Sequence, residues 1–249
     1  MRSSLSTLMK NLALKALNLL LPHQCPLCLK TVEHQGICPP CWCELKFITA
    51  PFCACCGYPF GFESSGHATL CGACLQEKPP FDRAVSILTY TTESKKLLFA
   101  FKHGRRLILA PLFSRWLLTF GNRLFKDIDM VIPVPLHWSR LMKRRFNQSA
   151  VLARAVATTK QLSFQPTLLK RVRATPSQGR MTPAGRADNV RGAFALSPSD
   201  QAAIRGKKIL LVDDVYTTGA TVKACAKALR QAGAKEINVL TLMRVVREA

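Results

Sequence analysis

Residues 209–221 read Ile-Leu-Leu-Val-Asp213-Asp214-Val-Tyr-Thr217-Thr218-Gly219-Ala220-Thr221, and no other stretch restricts the fold of this chain as strongly. Four consecutive apolar residues suit a strand buried on both faces, the kind found inside a parallel sheet. Two adjacent acids follow at its carboxyl end, where burial without a role would be costly. The Thr-Thr-Gly-Ala-Thr run then opens a helix. Free amides, hydroxyls and the helix dipole make such a run a cradle for phosphate, and Gly219 allows close backbone approach. Two carboxylates beside a phosphate cradle suit the hydroxyls of a ribose. An ordinary turn with Thr221 as N-cap would explain the threonines but not the acids.

The surrounding pattern agrees with a parallel sheet. Strands are expected at 84–90, 130–133, 207–212 and 237–243. Helices are expected at 95–102 and 107–124, around the polar turn His-Gly-Arg-Arg, and at 148–159 and 221–232. Alternation of this kind implies an α/β fold with helices on both faces of the sheet. Ligands of such sheets sit beyond the carboxyl ends of the strands, which is where residues 213–221 fall.

Ahead of this domain stand ten of the chain's 11 cysteines, between Cys25 and Cys74. Eight form C-x-x-C pairs: Cys25/Cys28, Cys38/Cys41, Cys53/Cys56 and Cys71/Cys74. Two sulfurs at this spacing grip one tetrahedral metal, and two pairs complete a four-cysteine site. Two structural zinc ions are expected, because four protein ligands leave no open position for chemistry. Pairing 25/28 with 38/41 and 53/56 with 71/74 closes shorter loops than an interleaved cross-brace, which is the alternative. The segment is too small and polar for its own core, so metal supplies its folding energy. A disulfide framework would need an oxidising compartment, and no export signal is visible. Cys43 and Cys55 are left over, and Cys225 fits a helical core pattern.

Of the 249 residues, 48% are apolar, which excludes a disordered basic tail. The net charge is +22. Residues 1–80 hold 6 basic and 4 acidic side chains, or +2; residues 81–249 hold 30 and 10, or +20. Such a block attracts polyanions through counterion release. Lys102, Arg105 and Arg106 form one basic turn, Lys143, Arg144 and Arg145 another, and Lys170, Arg171 and Arg173 a third. Phe101, Trp138 and Phe146 are interleaved with them and could stack on bases, although each suits the core as well. Residues 174–189 are rich in Thr, Ser, Pro and Gly and are expected to be mobile without ligand. Residues 1–22 have the spacing of an amphipathic helix, suited to packing on the protein or to lying on a membrane surface. No apolar span reaches the length of a membrane-crossing helix.

The 209–221 segment, with the lead-in Arg205-Gly206-Lys207-Lys208, resembles the signature of type I phosphoribosyltransferases, which bind phosphoribosyl pyrophosphate (PRPP). With the four C-x-x-C pairs in front, the whole chain resembles the ComF family of bacterial competence proteins. The likeness continues at Pro133-Val-Pro-Leu-His137, at Arg144-Arg145-Phe146-Asn147-Gln148, and through Thr175, Gln178, Arg186, Asn189 and Gly192-Ala193-Phe194.

The resemblance implies a double zinc-ribbon module at 23–80, after the helix of 1–22, and a parallel-sheet phosphoribosyltransferase-like domain at 81–249. Asp213 and Asp214 would hold ribose hydroxyls, directly or through Mg2+, and Thr217, Thr218, Gly219, Ala220 and Thr221 the 5′-phosphate. The loop after Pro133 would meet pyrophosphate, and residues 175–190 would form a lid. The family is associated with uptake of single-stranded DNA in natural transformation, alongside a helicase and other competence or DNA-processing proteins. The expected function is therefore a cytoplasmic DNA-uptake factor, or one at the inner face of the membrane. It would bind PRPP, and single-stranded DNA through Lys102, Arg105, Arg106, Lys143, Arg144 and Arg145. The alternative is an active phosphoribosyltransferase on an unidentified base, nucleotide or DNA acceptor; no acceptor element is identifiable. Three positions depart from the family pattern. Arg145 stands where Gly is usual, Gly185 where an acid is usual, and Met181 where Leu is usual. Thr217 occupies a place where some purine-type relatives carry an Asp that assists the transferred base.

Overall fold

The computed structural model describes residues 23–61, 69–103, 107–173, 185 and 189–246, with the side chains of positions 103 and 143 outside that set. The expected helix at 1–22, Arg105, Arg106 and most of the expected lid lie outside the described residues. The chain divides into two compact units, Met1–Leu45 and Lys46–Ala249.

In the smaller unit, a bridge between Gln24 and Thr31 brackets the first knuckle, and Leu29 turns the chain at φ 63°. Helix α1 (Pro39–Cys43) carries the second pair into position. Cys25, Cys38 and Cys41 are buried together with Leu27, Val32 and Ile37 around them.

The larger unit begins with the second cysteine quartet, whose last pair sits on α2 (Gly72–Gln76). Strand β1 (Arg83–Thr89) and helix α3 (Thr92–His103) follow. Next come α4 (Ala110–Phe120), β2 (Met130–Pro133), α5 (Trp138–Arg144) and α6 (Gln148–Lys160). The short strands β3 (Ser163–Phe164), β4 (Lys170–Arg171) and β5 (Phe194–Ala195) lead to α7 (Pro198–Ile204). Strand β6 (Lys208–Tyr216), helix α8 (Ala220–Gln231) and strand β7 (Glu236–Arg244) complete the unit.

Five strands form one parallel sheet in the order β1-β7-β6-β2-β3, while β4 and β5 pair antiparallel beside it. This is the α/β sheet expected from the sequence. The central strands β6 and β7 are buried along most of their length, and β6 carries the apolar run Ile209–Val212, because helices cover both of their faces. The expected helix at 107–124 is broken: 3₁₀ turns at Leu107–Leu109 and Asn122–Leu124 flank α4. Four short elements, α5, α7, β3 and the β4–β5 pair, carry too few residues to show a period.

The largest departure concerns β6. It was expected to end at Val212, and it runs on to Tyr216. Strand β2 stops at Pro133, opposite Val212, whereas β7 accompanies β6 as far as Arg244. Asp213 and Asp214 therefore lie within the strand, over the end of a shorter neighbour. That step in the sheet edge opens the cleft described below.

Candidate functional site

The sulfurs of Cys25, Cys28, Cys38 and Cys41 lie within 4.8 Å of one another, as do those of Cys53, Cys56, Cys71 and Cys74. The pairing is sequential, not a cross-brace. Each set supplies four converging thiol ligands, the donor number and softness that tetrahedral zinc requires. Backbone amides point at the sulfurs: Cys38 N–H at Cys25 Sγ (3.5 Å), and Cys56 and Cys71 N–H at Cys53 Sγ (3.4 and 3.3 Å). Gly57 turns the second knuckle at φ 70°, and a Cβ there would strike the Ala84 carbonyl oxygen at 2.6 Å. Cys43 and Cys55 belong to neither set. Cys55 is buried, and its carbonyl accepts the Ala84 amide at 2.7 Å, which fastens the second ribbon to the start of β1. Cys225 is a buried core thiol, as its helical position suggested.

The second ribbon is built into the main core, which includes Cys53, Cys56 and Cys74 with Phe81, Ala84, Tyr216 and Val222. Arg244, at the end of β7, is only 5% exposed. Its Nη1–H donates to the Cys56 carbonyl (2.8 Å), and Nη2 stands 3.6 Å from Cys56 Sγ. A zinc ion with four thiolates carries two negative charges, so a buried guanidinium beside one sulfur is compensated.

Beyond the end of β2, a cleft of about 180 Å3 brings together Asp213, Asp214, Thr217 and Thr221. Val134, Pro135 and Leu136 form one wall, and Lys102, Arg140, Arg144 and Arg171 face the acids. Four cations against two carboxylates leave the cleft with an excess of +2. Asn147 builds this corner. Its Oδ1 accepts the Ser149 amide (3.0 Å) to cap α6, and its Nδ2–H donates to the Val134 carbonyl (3.0 Å). Ser149 thereby points its hydroxyl at Asp213 Oδ1, 2.9 Å away, and the Asp214 amide donates to the same oxygen at 2.9 Å. Lys102 Nζ is 2.6 Å from Asp214 Oδ2.

Burial, and then the neighbouring Asp214 charge, push the Asp213 carboxyl up to about 7, against the pull of its hydrogen bonds and Lys102. Burial also lowers Arg140, helped by Arg144, and Arg171, helped by Arg140. Guanidiniums crowded and desolvated in this way are poised for an anion, which would relieve both penalties.

The predicted phosphate loop divides between two hollows. Thr217 and Thr221 line the acid cleft, while Thr218 lines a neighbouring one, with Thr217 common to both. Ala220 is buried as the first residue of α8. Gly219 caps that helix in the left-handed region at φ 78°. The Tyr216 hydroxyl fills the space that a Cβ on Gly219 would need, so its ring, besides any ligand, demands glycine here.

Of the basic residues expected to contact nucleic acid, Lys102 is paired with Asp214, and Arg144 lines the acid cleft with its Nη1–H on Gln148 Oε1 at 3.2 Å. Arg145 is exposed. Trp138, a core candidate from sequence, is 70% exposed on α5, whereas Phe101 is buried. Ser149 and Arg140 were missed by sequence reasoning. Nothing local marks them, because the fold brings them to the acids from another strand-helix corner.

Two domain families match this chain: a double zinc ribbon domain over residues 16–77 and a phosphoribosyl transferase domain over residues 147–248. The DNA utilization protein YhgH of Salmonella typhi is 33% identical over 236 residues, covering 92% of this chain and 100% of that one. Competence protein F of Haemophilus influenzae is 29% identical over 218 residues, covering 86% of this chain and 92% of that one. The chain belongs to the ComF family. Competence protein ComFC of Bacillus subtilis is a more distant relative, at 29% over 84% of this chain and 85% of its own.

Arg145 sits at φ 65° as the C-cap of α5, in the left-handed region that favours glycine. That conformation costs a non-glycine residue about 1 kcal/mol or more. Arg145→Gly should therefore raise the melting temperature by roughly 2–4 °C in a unit of this size. A drop in a thermal melt would mean that the arginine makes stabilising contacts outweighing its backbone strain.

Proposed function

We propose that this ComF-family chain is a cytoplasmic DNA-uptake factor that binds PRPP with Mg2+ and holds single-stranded DNA. The observation that carries the reading is the acid cleft. A carboxylate pair lies at the end of a central strand beside a helix-opening threonine loop, and three arginines face it. Ribose hydroxyls suit the carboxylates, and the phosphate and pyrophosphate groups suit the amides and guanidiniums. The names of the relatives, DNA utilization protein and competence protein, support the DNA role. Competence proteins such as the uptake helicase are the partners this role calls for. In the cytoplasm the zinc thiols stay reduced.

The test is transformation frequency in a deletion strain complemented with either the wild type or an Asp213→Ala/Asp214→Ala variant. Full rescue by the variant would separate uptake from the cleft. A second reading, transfer of the phosphoribosyl group to an acceptor, is favoured by the adjoining cleft that shares Thr217. Turnover of PRPP by the pure protein distinguishes the two readings.

Binding of single-stranded DNA should weaken steeply with salt, because phosphate contacts release counterions. Arg145 is exposed and outside the acid cleft. Arg145→Gly should lower the magnitude of the log–log salt slope by about 0.7, one phosphate's worth on a single strand, with no dependence on base sequence. An unchanged slope would remove Arg145 from the DNA contact.

A further inference from the structure

Lys102 lies in the last turn of helix α3 and covers one acid of the cleft. Its backbone is fixed from behind. Leu97, Leu98 and Phe101 on the same helix are buried, and the Phe101 ring meets Phe113 and Phe146 edge-on, with centroids 5.3 and 6.0 Å away. Phe146 adjoins Asn147, which builds the acid corner. The ammonium is thereby set on Asp214 Oδ2 at 2.6 Å, with only 19% of the lysine side chain and 13% of the aspartate exposed. On the other acid, Asp213 Oδ1 accepts two donors, the Ser149 hydroxyl and the Asp214 amide. Each carboxylate thus has a partner before any ligand arrives.

We infer that Lys102 is a specificity-determining residue of the acid cleft: it yields Asp214 only to a ligand that brings both a divalent cation and a diphosphate, and so shuts out pentose monophosphates. Sugar hydroxyls alone do not break so shielded a pair. A neutral hydroxyl is a weaker partner for a carboxylate than an ammonium is. The displaced ammonium would also be left in a cleft that already holds the guanidiniums of Arg140, Arg144 and Arg171. Both halves of the pair must be replaced together, with a cation on Asp214 and an anion on Lys102. A divalent cation such as Mg2+ carries twice the charge of the ammonium and takes carboxylate and phosphate oxygens together. A diphosphate supplies the anion. A pentose monophosphate has one phosphate, which suits the threonine loop, and nothing remains for Lys102. The inference rests on the reading of the acid cleft as a PRPP site and states what that site rejects.

The experiment titrates the zinc-loaded full chain by calorimetry with PRPP and with ribose 5-phosphate, each with Mg2+, and by electron paramagnetic resonance with Mn2+ alone. Lys102→Met keeps an unbranched stem and removes the charge, and Lys102→Arg restores the charge. Lys102→Gln, which still donates a hydrogen bond to Asp214, removes the charge should the methionine variant not fold. The neutral variants should bind Mn2+ and ribose 5-phosphate about tenfold or more tightly than the wild type, as loss of one charged competitor predicts. They should gain nothing for PRPP, so the preference for PRPP shrinks, while Lys102→Arg keeps the wild-type preference. Equal weakening of both sugar ligands would make Lys102 a plain phosphate contact, and unchanged values for both would make it a structural prop. Either result overturns the inference, as does Mn2+ bound no more tightly by the neutral variants than by the wild type. Failure of the wild type to bind PRPP, with Mn2+ binding tightened in the neutral variants, would overturn the reading of the acid cleft and support the competition between Lys102 and a cation.

Discussion

Cys56→Ser is expected to lower the melting temperature of the larger unit by roughly 10 °C, whereas Cys25→Ser releases about one zinc ion and leaves that unit's transition in place. The two quartets are chemically alike and differ in what surrounds them. The first sits in the small cluster of Cys25, Cys38 and Cys41, whereas the second shares the main core with Phe81, Ala84 and Tyr216. Loss of zinc from the second quartet also strips the buried Arg244 of its anionic partner. A buried charge left uncompensated costs about 3–5 kcal/mol. In a unit of some 200 residues each kcal/mol is worth roughly 2–4 °C. The damage should spread to the ligand loop, because the Arg244 guanidinium lies on the Tyr216 ring and the Tyr216 hydroxyl occupies the space beside Gly219. Zinc analysis with a thermal melt of each variant checks this. Equal, small effects from both substitutions would show that the second ribbon is as separable as the first.

A shift in melting temperature on adding Mg2+ and PRPP is the second large effect expected, and Asp213→Ala with Asp214→Ala should abolish it. A native-state ligand at one hundred times its Kd contributes about 2.7 kcal/mol, or several degrees here. The effect has a pH signature because Asp213 is pushed up to about 7 by burial and by Asp214. Ribose hydroxyls and Mg2+ need its carboxylate, so affinity should fall about tenfold for each unit of pH below 7 and level off above it. The free protein should respond in the opposite sense. A carboxyl whose folded-state value is raised favours the folded state when protonated. Its contribution is therefore fully present below about 4 and is lost as pH rises through 7. Asp213→Asn keeps an acceptor for Ser149 and removes the buried charge. At pH 8 it should leave the free protein no less stable than the wild type while abolishing the ligand shift. A variant that melts lower at pH 8 would show that Asp213 is held charged in the free protein.

Much of this molecule was legible in its residues, for reasons that are local. The spacing of eight cysteines determined two four-sulfur sites, because C-x-x-C places both sulfurs in one turn. The apolar run before Asp213 and the threonine run after it determined a buried strand feeding a helix, because strand burial and helix opening depend on neighbours in sequence. Alternation of such segments determined the parallel sheet. Tertiary structure decided everything that depends on residues far apart in the chain. Strand β2 ends at Pro133 while β6 runs to Tyr216, and only that unequal length brings Asp213 over Ser149 and opposite Arg140 and Arg171. The basic residues carry no sequence mark separating those that face an internal carboxylate, such as Lys102, from those that face solvent, such as Arg145. Helix α5, too short to show a period, left Trp138 outside the core. The second ribbon is tied to the core by Arg244, 188 residues beyond Cys56, whose guanidinium reaches Cys56 from the end of β7.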